Sequence, residues 1–321
     1  MVSTWDAPVQ NELRMVEEQL RESVHSEQPL LTEISNYIIS SGGKRMRPAV
    51  TILIFKATGG IDSAKVIKVA SAFELIHSAT LLHDDINDHG EMRRGRMAAY
   101  KKYGTQKALI AGDFLFVKSF ALGGVFPEKV ISVVADACTG IAESEILQSD
   151  YERNQDTNVD VYIKIIEGKT ARPFEAGARV GSYLAEASPA VMDAMGSYGL
   201  NIGIAFQIVD DILDFTGEQS TVGKPVGSDL LNGLVTLPAI YYAEACPEDE
   251  DVKSLADGGW GNQDHMQRLV ESIRKTDAVK KAMGEAKGHA GRALQILTDF
   301  DPSPEREGLE NLVKYIVDRN V

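Results

Sequence analysis

Six aspartates stand out by their spacing. Asp84, Asp85 and Asp88 close the run Leu81–Asp88, and Asp210, Asp211 and Asp214 repeat the same Asp-Asp-x-x-Asp pattern after a second long apolar run. On an α-helix, residues four apart share a face. Asp84 with Asp88, and Asp210 with Asp214, therefore each aim two carboxylates in one direction. Carboxylates so placed repel one another unless a cation lies between them. Hard oxygen ligands select Mg²⁺, which keeps several waters and shares its sphere with substrate phosphates. One such motif would suit a solvated helix end; two, each after a buried-looking helix, point to a metal site.

Cations accompany the acids. Gly42-Gly43-Lys44-Arg45-Met46-Arg47-Pro48 packs three of them behind a glycine pair, where the backbone turns tightly and a diphosphate could be held. Arg93-Arg94-Gly95-Arg96 follows the first aspartate motif, and its plainer role is to neutralise the neighbouring acids. His77 lies two turns before Asp84 on the same face, although a lone histidine there is more often a packed core residue. Lys169 and Lys224 are single lysines near helix breaks. Each cation alone is a weak signal; the set, in one helical chain with two magnesium-type clusters, is a strong one.

Long apolar helices must deliver these groups. Val9, Leu13, Val16, Leu20 and Val24 form a helical stripe, and Pro29 opens a second helix over 30–39, stopped by Gly42-Gly43. Pro48 stands in the first turn of the next. The helix from about Ser63 carries Val66, Val69, Phe73, Ile76 and Thr80 down to the first motif. Leu109–Leu122 is almost wholly apolar and is expected to be buried on most sides. A helix over 130–148 and another through Lys169 follow, and Pro173 is expected to break or kink the chain around Lys169-Thr170. Val191–Phe215 carries the second motif, and Cys246–Asp264, with its acids and Gly258-Gly259, reads as a surface loop. No sustained period-two alternation and no Ser- or Gly-rich linker appear. The expectation is an all-α protein with a single domain over residues 1–321.

Composition sets outer bounds. The chain has 321 residues, 44% of them hydrophobic, and a formal net charge of −14. That charge argues against nucleic acid or an anionic membrane surface as partner, and bound Mg²⁺ would reconcile it with an anionic substrate. Two cysteines, Cys138 and Cys246, make no disulfide framework or zinc cluster, which fits a reducing cytoplasm. The N-terminus lacks the basic flank and apolar core of a signal peptide. No run reaches the roughly 20 uncharged residues of a membrane span, so a soluble cytoplasmic protein is expected.

In order along the chain come Gly-Gly-Lys-Arg-x-Arg-Pro, His-x6-Asp-Asp-x-x-Asp, Arg-Arg-Gly, Lys-Thr, Gln-x-x-Asp-Asp-x-x-Asp and Gly-Lys-x-x-Gly-x-Asp-Leu. This order resembles the trans-isoprenyl diphosphate synthases of the polyprenyl synthetase family, of geranylgeranyl or longer-chain type, from about residue 40 to 240. The resemblance implies an isoprenoid synthase-type helical bundle around a deep central cavity. It also implies a homodimer and three Mg²⁺ ions bridging the aspartate motifs and an allylic diphosphate; a catalytic subunit that needs a small regulatory partner is the alternative assembly. Position by position, Lys44, Arg47, His77 and Arg94 match the site for isopentenyl diphosphate. Asp84, Asp85, Asp88, Asp210, Asp211 and Asp214 match the metal motifs. Arg93, Lys169 and Lys224 match residues holding the allylic diphosphate, and Thr170 and Gln207 match polar groups near the developing cation.

The implied reaction ionises the allylic diphosphate, adds the double bond of isopentenyl diphosphate to C1, and loses a proton. Stabilising the leaving group and excluding water suffice for it, with no protein nucleophile. Side chains below the first motif should set product length. Ala79 and Thr80 are small, Ile76 lies deeper, and Phe73 could form a floor, so an all-trans product of C20 or longer is expected. Three positions depart from the family pattern: Leu234 stands where lysine is common, Ser144 where glycine is common, and Ala171-Arg172-Pro173-Phe174 is a bulkier run than usual. A class I terpene cyclase would share the fold and first motif but would not need Lys44, Arg47, His77 and Arg94. A non-catalytic partner subunit would typically have lost aspartates that are all present here.

Overall fold

The computed structural model describes residues 4–154, 156–217, 226–256 and 258–319. Its helices, in chain order, are Gln10–Ser23 (α1), Pro29–Ile39 (α2), Met46–Ala57 (α3), Ala64–Asn87 (α4), Ala99–Tyr103 (α5), Thr105–Gly123 (α6), Glu128–Asp150 (α7), Val159–Ile166 (α8), Arg172–Leu184 (α9) and Pro189–Thr216 (α10). They continue with Ser228–Leu231 (α11), Leu237–Ala245 (α12), Glu250–Ala256 (α13), Gln263–Lys275 (α14), Ala278–Leu297 (α15) and Pro304–Val317 (α16). Among the described residues the only strands are Met92–Arg93 (β1) and Arg96–Met97 (β2), an antiparallel pair with Met92 opposite Met97. The all-α fold is as the sequence predicts. No described helix is long and apolar enough to cross a membrane.

Two compact units make up the chain. The first takes residues up to Ala135 with Ala176–Gly196 and Asp301–Leu309; the second takes Asp136–Glu175, Ser197–Phe300 and residues from Glu310 onward. In the first unit α4 is the central element and packs most heavily on α6, then on α3 and α1. Val66, Val69, Phe73 and Ile76 are all buried. Beyond Ile76 one face opens: His77, Thr80, Leu81 and Asp84 are partly accessible and Asp88 is exposed. These positions recur every three or four residues, so they form one stripe.

The second unit has its own core, built on Tyr162, Ile166, Ile204, Ile208, Ile212, Phe215, Leu230 and Leu237. Fully burying a side chain of this size contributes about 1.5–3 kcal/mol, so α10 is firmly held up to the aspartate motif it carries.

Two expectations are corrected and a third is met. The helix over 109–122 is not buried on most sides: α6 buries Ala108, Ala111, Gly112, Leu115 and Ser119, while Leu109, Ile110, Val117 and Phe120 are exposed. Its small residues face α4, where Gly112 lies so close to His83 that an added Cβ would sit 2.2 Å from Nε2. Leu115 is buried with them and Phe116 meets the His83 ring, whereas the other large residues named stay exposed. The span 246–264 is not simply a loop, because α13 lies within it. Asp249 Oδ1 accepts from the amides of Asp251 and Val252 at 2.9 and 3.2 Å, and the acids that follow suit a helix N-terminus. Around Lys169-Thr170 the α-helix is interrupted, as expected: α8 ends at Ile166, Glu167–Ala171 is π-helical, and α9 begins at Arg172, with Pro173 lacking the amide that would continue the ladder.

Candidate active site

In the first unit the glycine pair turns the chain into α3. Gly42 and Gly43 have φ of 89° and 137°, and Arg45 is left-handed at 47°. Arg94, left-handed at the tip of the β1–β2 turn, donates from Nη1 to the carbonyl of Gly42 and rests against Gly43. An added Cβ on Gly43 would lie 2.6 Å from that guanidinium, and the Gly43 φ of 137° is one that residues with a side chain rarely adopt, so glycine suits this position.

Arg47, Arg94 and His77 converge. Burial first, and then the charges of Arg47, Arg94, Arg93 and Arg45, push the His77 imidazole well below its ordinary value. His77 is thus neutral among guanidinium groups and can still donate one N–H. Lys44 is exposed on the same loop. Such a cluster presents the donors and charge that a diphosphate requires.

The first aspartate motif ends α4. Asp88 is the C-cap residue and its amide donates to the Asp84 carbonyl at 2.8 Å. Asp85 turns inward, and its Oδ1 accepts from Arg93 Nε and Nη2 at 2.8 and 2.5 Å. Its Oδ2 is buried with no hydrogen-bond partner. Acids at a helix C-terminus oppose the helix dipole, and a cation is the charge that relieves them. The donor set therefore fits Mg²⁺: accessible carboxylates on Asp84 and Asp88, and an orphaned oxygen on Asp85.

In the second unit the three aspartates of α10 have different surroundings. Asp211 is buried, with Oδ2 accepting from Tyr162 Oη at 2.6 Å and Oδ1 from Gln207 Nε2 at 2.8 Å. Burial, then the charge of Asp229, holds its carboxyl well above the usual range. Thr170 Oγ1 donates to Gln207 Oε1 at 2.8 Å, so the π-helical segment joins this network. Asp214 accepts from Ser228 Oγ at 2.7 Å and from the Asp229 amide at 3.0 Å, tying α10 to α11. Asp210 is the accessible member, and Arg319 Nη1 donates to its Oδ1 at 2.7 Å. A guanidinium thus supplies positive charge at the carboxylate most open to a metal.

Lys169 pairs with Glu145 at 2.8 Å and donates to Gln148 Oε1 at 3.4 Å, both in the α7 stretch Glu143-Ser144-Glu145-Ile146-Leu147-Gln148. Ser144 is buried there and packs against Gly168, whose added Cβ would meet Ser144 Cβ at 2.8 Å. Lys224 lies outside the described residues. Among the described residues no three His, Cys, Asp or Glu side chains close into a metal cage. Mg²⁺ is commonly held by only one or two carboxylates, with water and substrate phosphates around the rest.

The structure separates the expected chain-length residues. Thr80 shares the open stripe with His77 and Asp84, whereas Ala79 is wholly buried. Ala79 lies one turn before His83, which packs on Phe116 of α6. Phe73 and Ile76 are buried deeper on α4. Sequence reasoning missed Arg45, Glu145, Tyr162 and Arg319. Glu145 had a signal in its spacing to Gln148. The other three had none, since their partners are remote in sequence.

Comparison with known proteins agrees with this geometry. The family described as Polyprenyl synthetase matches residues 28–273. A prenyl transferase of Cyanophora paradoxa is 34% identical, covering 98% of this chain and 97% of its own. The octaprenyl diphosphate synthase of Escherichia coli is 33% identical, with 93% of each chain covered. The heptaprenyl diphosphate synthase of Staphylococcus aureus superposes with a TM-score of 0.93 at 30% identity, over 98% of this chain and 99% of that one. A polyprenyl synthase of Caulobacter crescentus, solved with calcium and isoprenyl diphosphate, also has a TM-score of 0.93, at 32% identity over 99% and 97% of the two chains. The chain belongs to the polyprenyl synthetase family, transferases that make prenyl chains.

Proposed function

We propose that this protein is a Mg²⁺-dependent trans-polyprenyl diphosphate synthase that condenses isopentenyl diphosphate with an allylic diphosphate, giving a product of C20 or longer. The observation that carries this reading is the convergence of Arg47 and Arg94 on His77, beside the glycine loop that Arg94 holds at the Gly42 carbonyl, a set of donors that suits a second diphosphate. A synthase needs a second diphosphate site for its nucleophile. A terpene cyclase, with one diphosphate substrate, does not.

Lys44, Arg47, His77 and Arg94 hold isopentenyl diphosphate. Arg93, Lys169 and Lys224 hold the allylic diphosphate, and Asp84, Asp85, Asp88, Asp210, Asp211 and Asp214 form the two metal motifs. Mg²⁺, as three ions, supplies charge stabilisation to the departing diphosphate. The apolar walls keep water from the allylic cation, and the Thr170 and Gln207 oxygens face it. The double bond of isopentenyl diphosphate attacks C1 of the cation. The proton released from the adduct passes to the departing pyrophosphate.

Residues 1–321 act as one catalytic domain, and a second copy of the chain covers the exposed face of α6. With Cys138 and Cys246 both free, a reducing cytoplasm suits the protein. The test is incorporation of radiolabelled isopentenyl diphosphate with C5, C10, C15 and C20 allylic starters. A discrete product at C20 or above, abolished by chelator, is expected. No incorporation with any starter would overturn the reading in favour of a cyclase or of a subunit that needs a partner.

A further inference from the structure

Three cations crowd residues 44–47, and the structure treats the middle one differently. The Arg45 side chain is only 10% exposed. Its Nε lies 2.5 Å from Glu17 Oε1 on α1, its Nη1 2.5 Å from Glu74 Oε1 on α4, and its Nη2 2.7 Å from the carbonyl of Ile39 at the end of α2. Its own carbonyl accepts the Ala49 amide of α3 at 3.0 Å. One residue thus binds four helices of the first unit. To reach these partners its backbone takes the left-handed region, at φ of 47°.

We propose that Arg45 is a positioning residue for the cationic loop and not one of its diphosphate ligands. The proposal rests on the isopentenyl diphosphate reading of that loop. Glu74 is buried and precedes His77 by three residues on α4, so the Arg45–Glu74 pair fixes the loop against the same turn that carries His77. The left-handed turn draws the Arg45 guanidinium inward, while Lys44 stays exposed and Arg47 stays near His77. Arg94, donating to the Gly42 carbonyl, secures the other end of the loop. A planar fork with five N–H groups can satisfy two carboxylates and a carbonyl at once, which a lysine cannot.

The test must separate positioning from fold stability, because removing Arg45 alone leaves Glu74 buried without a partner. The double variant Arg45→Met/Glu74→Met removes both buried charges and keeps apolar volume, an exchange that buried ion pairs often tolerate. Its thermal midpoint is expected to stay near that of the parent. Its KM for isopentenyl diphosphate should rise by about tenfold or more, the scale of a misplaced binding group, with the KM for the allylic substrate unchanged. A parent-like midpoint with an unchanged isopentenyl diphosphate KM would overturn the proposal. Should the double variant not fold, Arg45→Lys decides by the same split in KM. Lys44→Ala and Arg47→Ala are assayed in parallel. If they leave that KM unchanged, the substrate assignment of the loop fails, a result distinct from failure of the Arg45 proposal.

Discussion

Arg319 donates to Oδ1 of Asp210 at 2.7 Å and lies 4.2 Å over the ring of Phe206, one turn earlier on α10. A residue just past the last helix therefore neutralises the most accessible carboxylate of the second aspartate motif. Its charge and a metal's would compete for the same oxygen. Arg319→Ala should tighten Mn²⁺ binding to the substrate-free protein by about two- to tenfold, the scale of a partly exposed ion pair. Direct titration followed by electron paramagnetic resonance would read this. Weaker binding would mean instead that Arg319 orients Asp210 for the metal.

Asp84→Ala and Asp210→Ala should each lower kcat by about 10²–10³ or more, the scale of losing a principal electrostatic contribution at the leaving group. Near-parent turnover in either would remove the metal assignment. Tyr162→Phe tests a different role. It leaves the buried Asp211 with one donor fewer, an expected loss of about 1–3 kcal/mol in stability, together with a fall in kcat. Thermal melting and steady-state assays separate the two effects; a parent-like midpoint would show that the 2.6 Å contact matters little.

His77 gives a pH signature. Its folded-state value lies well below the ordinary 6.5, because burial and then Arg47 and Arg94 disfavour the imidazolium. Below about pH 6.5 the unfolded chain binds a proton that the folded chain refuses. The stability that neutral His77 contributes is therefore complete above that pH and declines as pH falls toward the folded value. His77→Gln, which cannot charge, should flatten the acid side of a midpoint-versus-pH curve between about pH 7 and 5. An unchanged slope would mean that His77 is protonated in the folded state.

The aspartate motifs and their helices were legible because period and composition agree there: long apolar runs ending in paired acids read the same way at every level. Arg45 was not. Three cations in four residues look alike until Glu17 and Glu74 single one out from 28 and 29 residues away. Tyr162 and Asp211, 49 residues apart, left no local trace either. The α13 helix was readable in principle, since Asp249 followed by Glu250 and Asp251 is an N-terminal signature, but the same acids also suit a loop. The α6 error has another origin. Apolar composition tells that a surface avoids water and not what covers it.

That uncovered surface makes its own prediction. Val117 and Phe120 are 63% and 55% exposed and lie on α6 with Leu109 and Ile110. If a second copy covers them, Val117→Glu should shift the protein from dimer to monomer in sedimentation velocity, because a charge would have to be buried. A parent protein that sediments as a monomer would remove α6 as a self-association face.

Product length should respond to Thr80 and not to Ala79 as a tunnel residue. Thr80 lies on the open stripe of α4, one turn from Asp84, with its Oγ1 donating to the His77 carbonyl at 2.9 Å. One helical turn is ~5.4 Å, close to an extended isoprene unit, so an aromatic ring there would meet the chain soon after the first condensation. Thr80→Phe is expected to shorten the product with little loss of stability. Ala79 has no exposed surface and sits on the side of the helix that packs α6. Ala79→Phe should therefore overpack that contact, lowering stability by about 1–3 kcal/mol before it alters the product. Reversed-phase chromatography of the hydrolysed products, beside a melting curve for each variant, distinguishes the two. A stable Ala79→Phe enzyme with a shorter product, and an unaffected Thr80→Phe enzyme, would place the tunnel on the Ala79 side of α4, about 100° around the helix from Thr80.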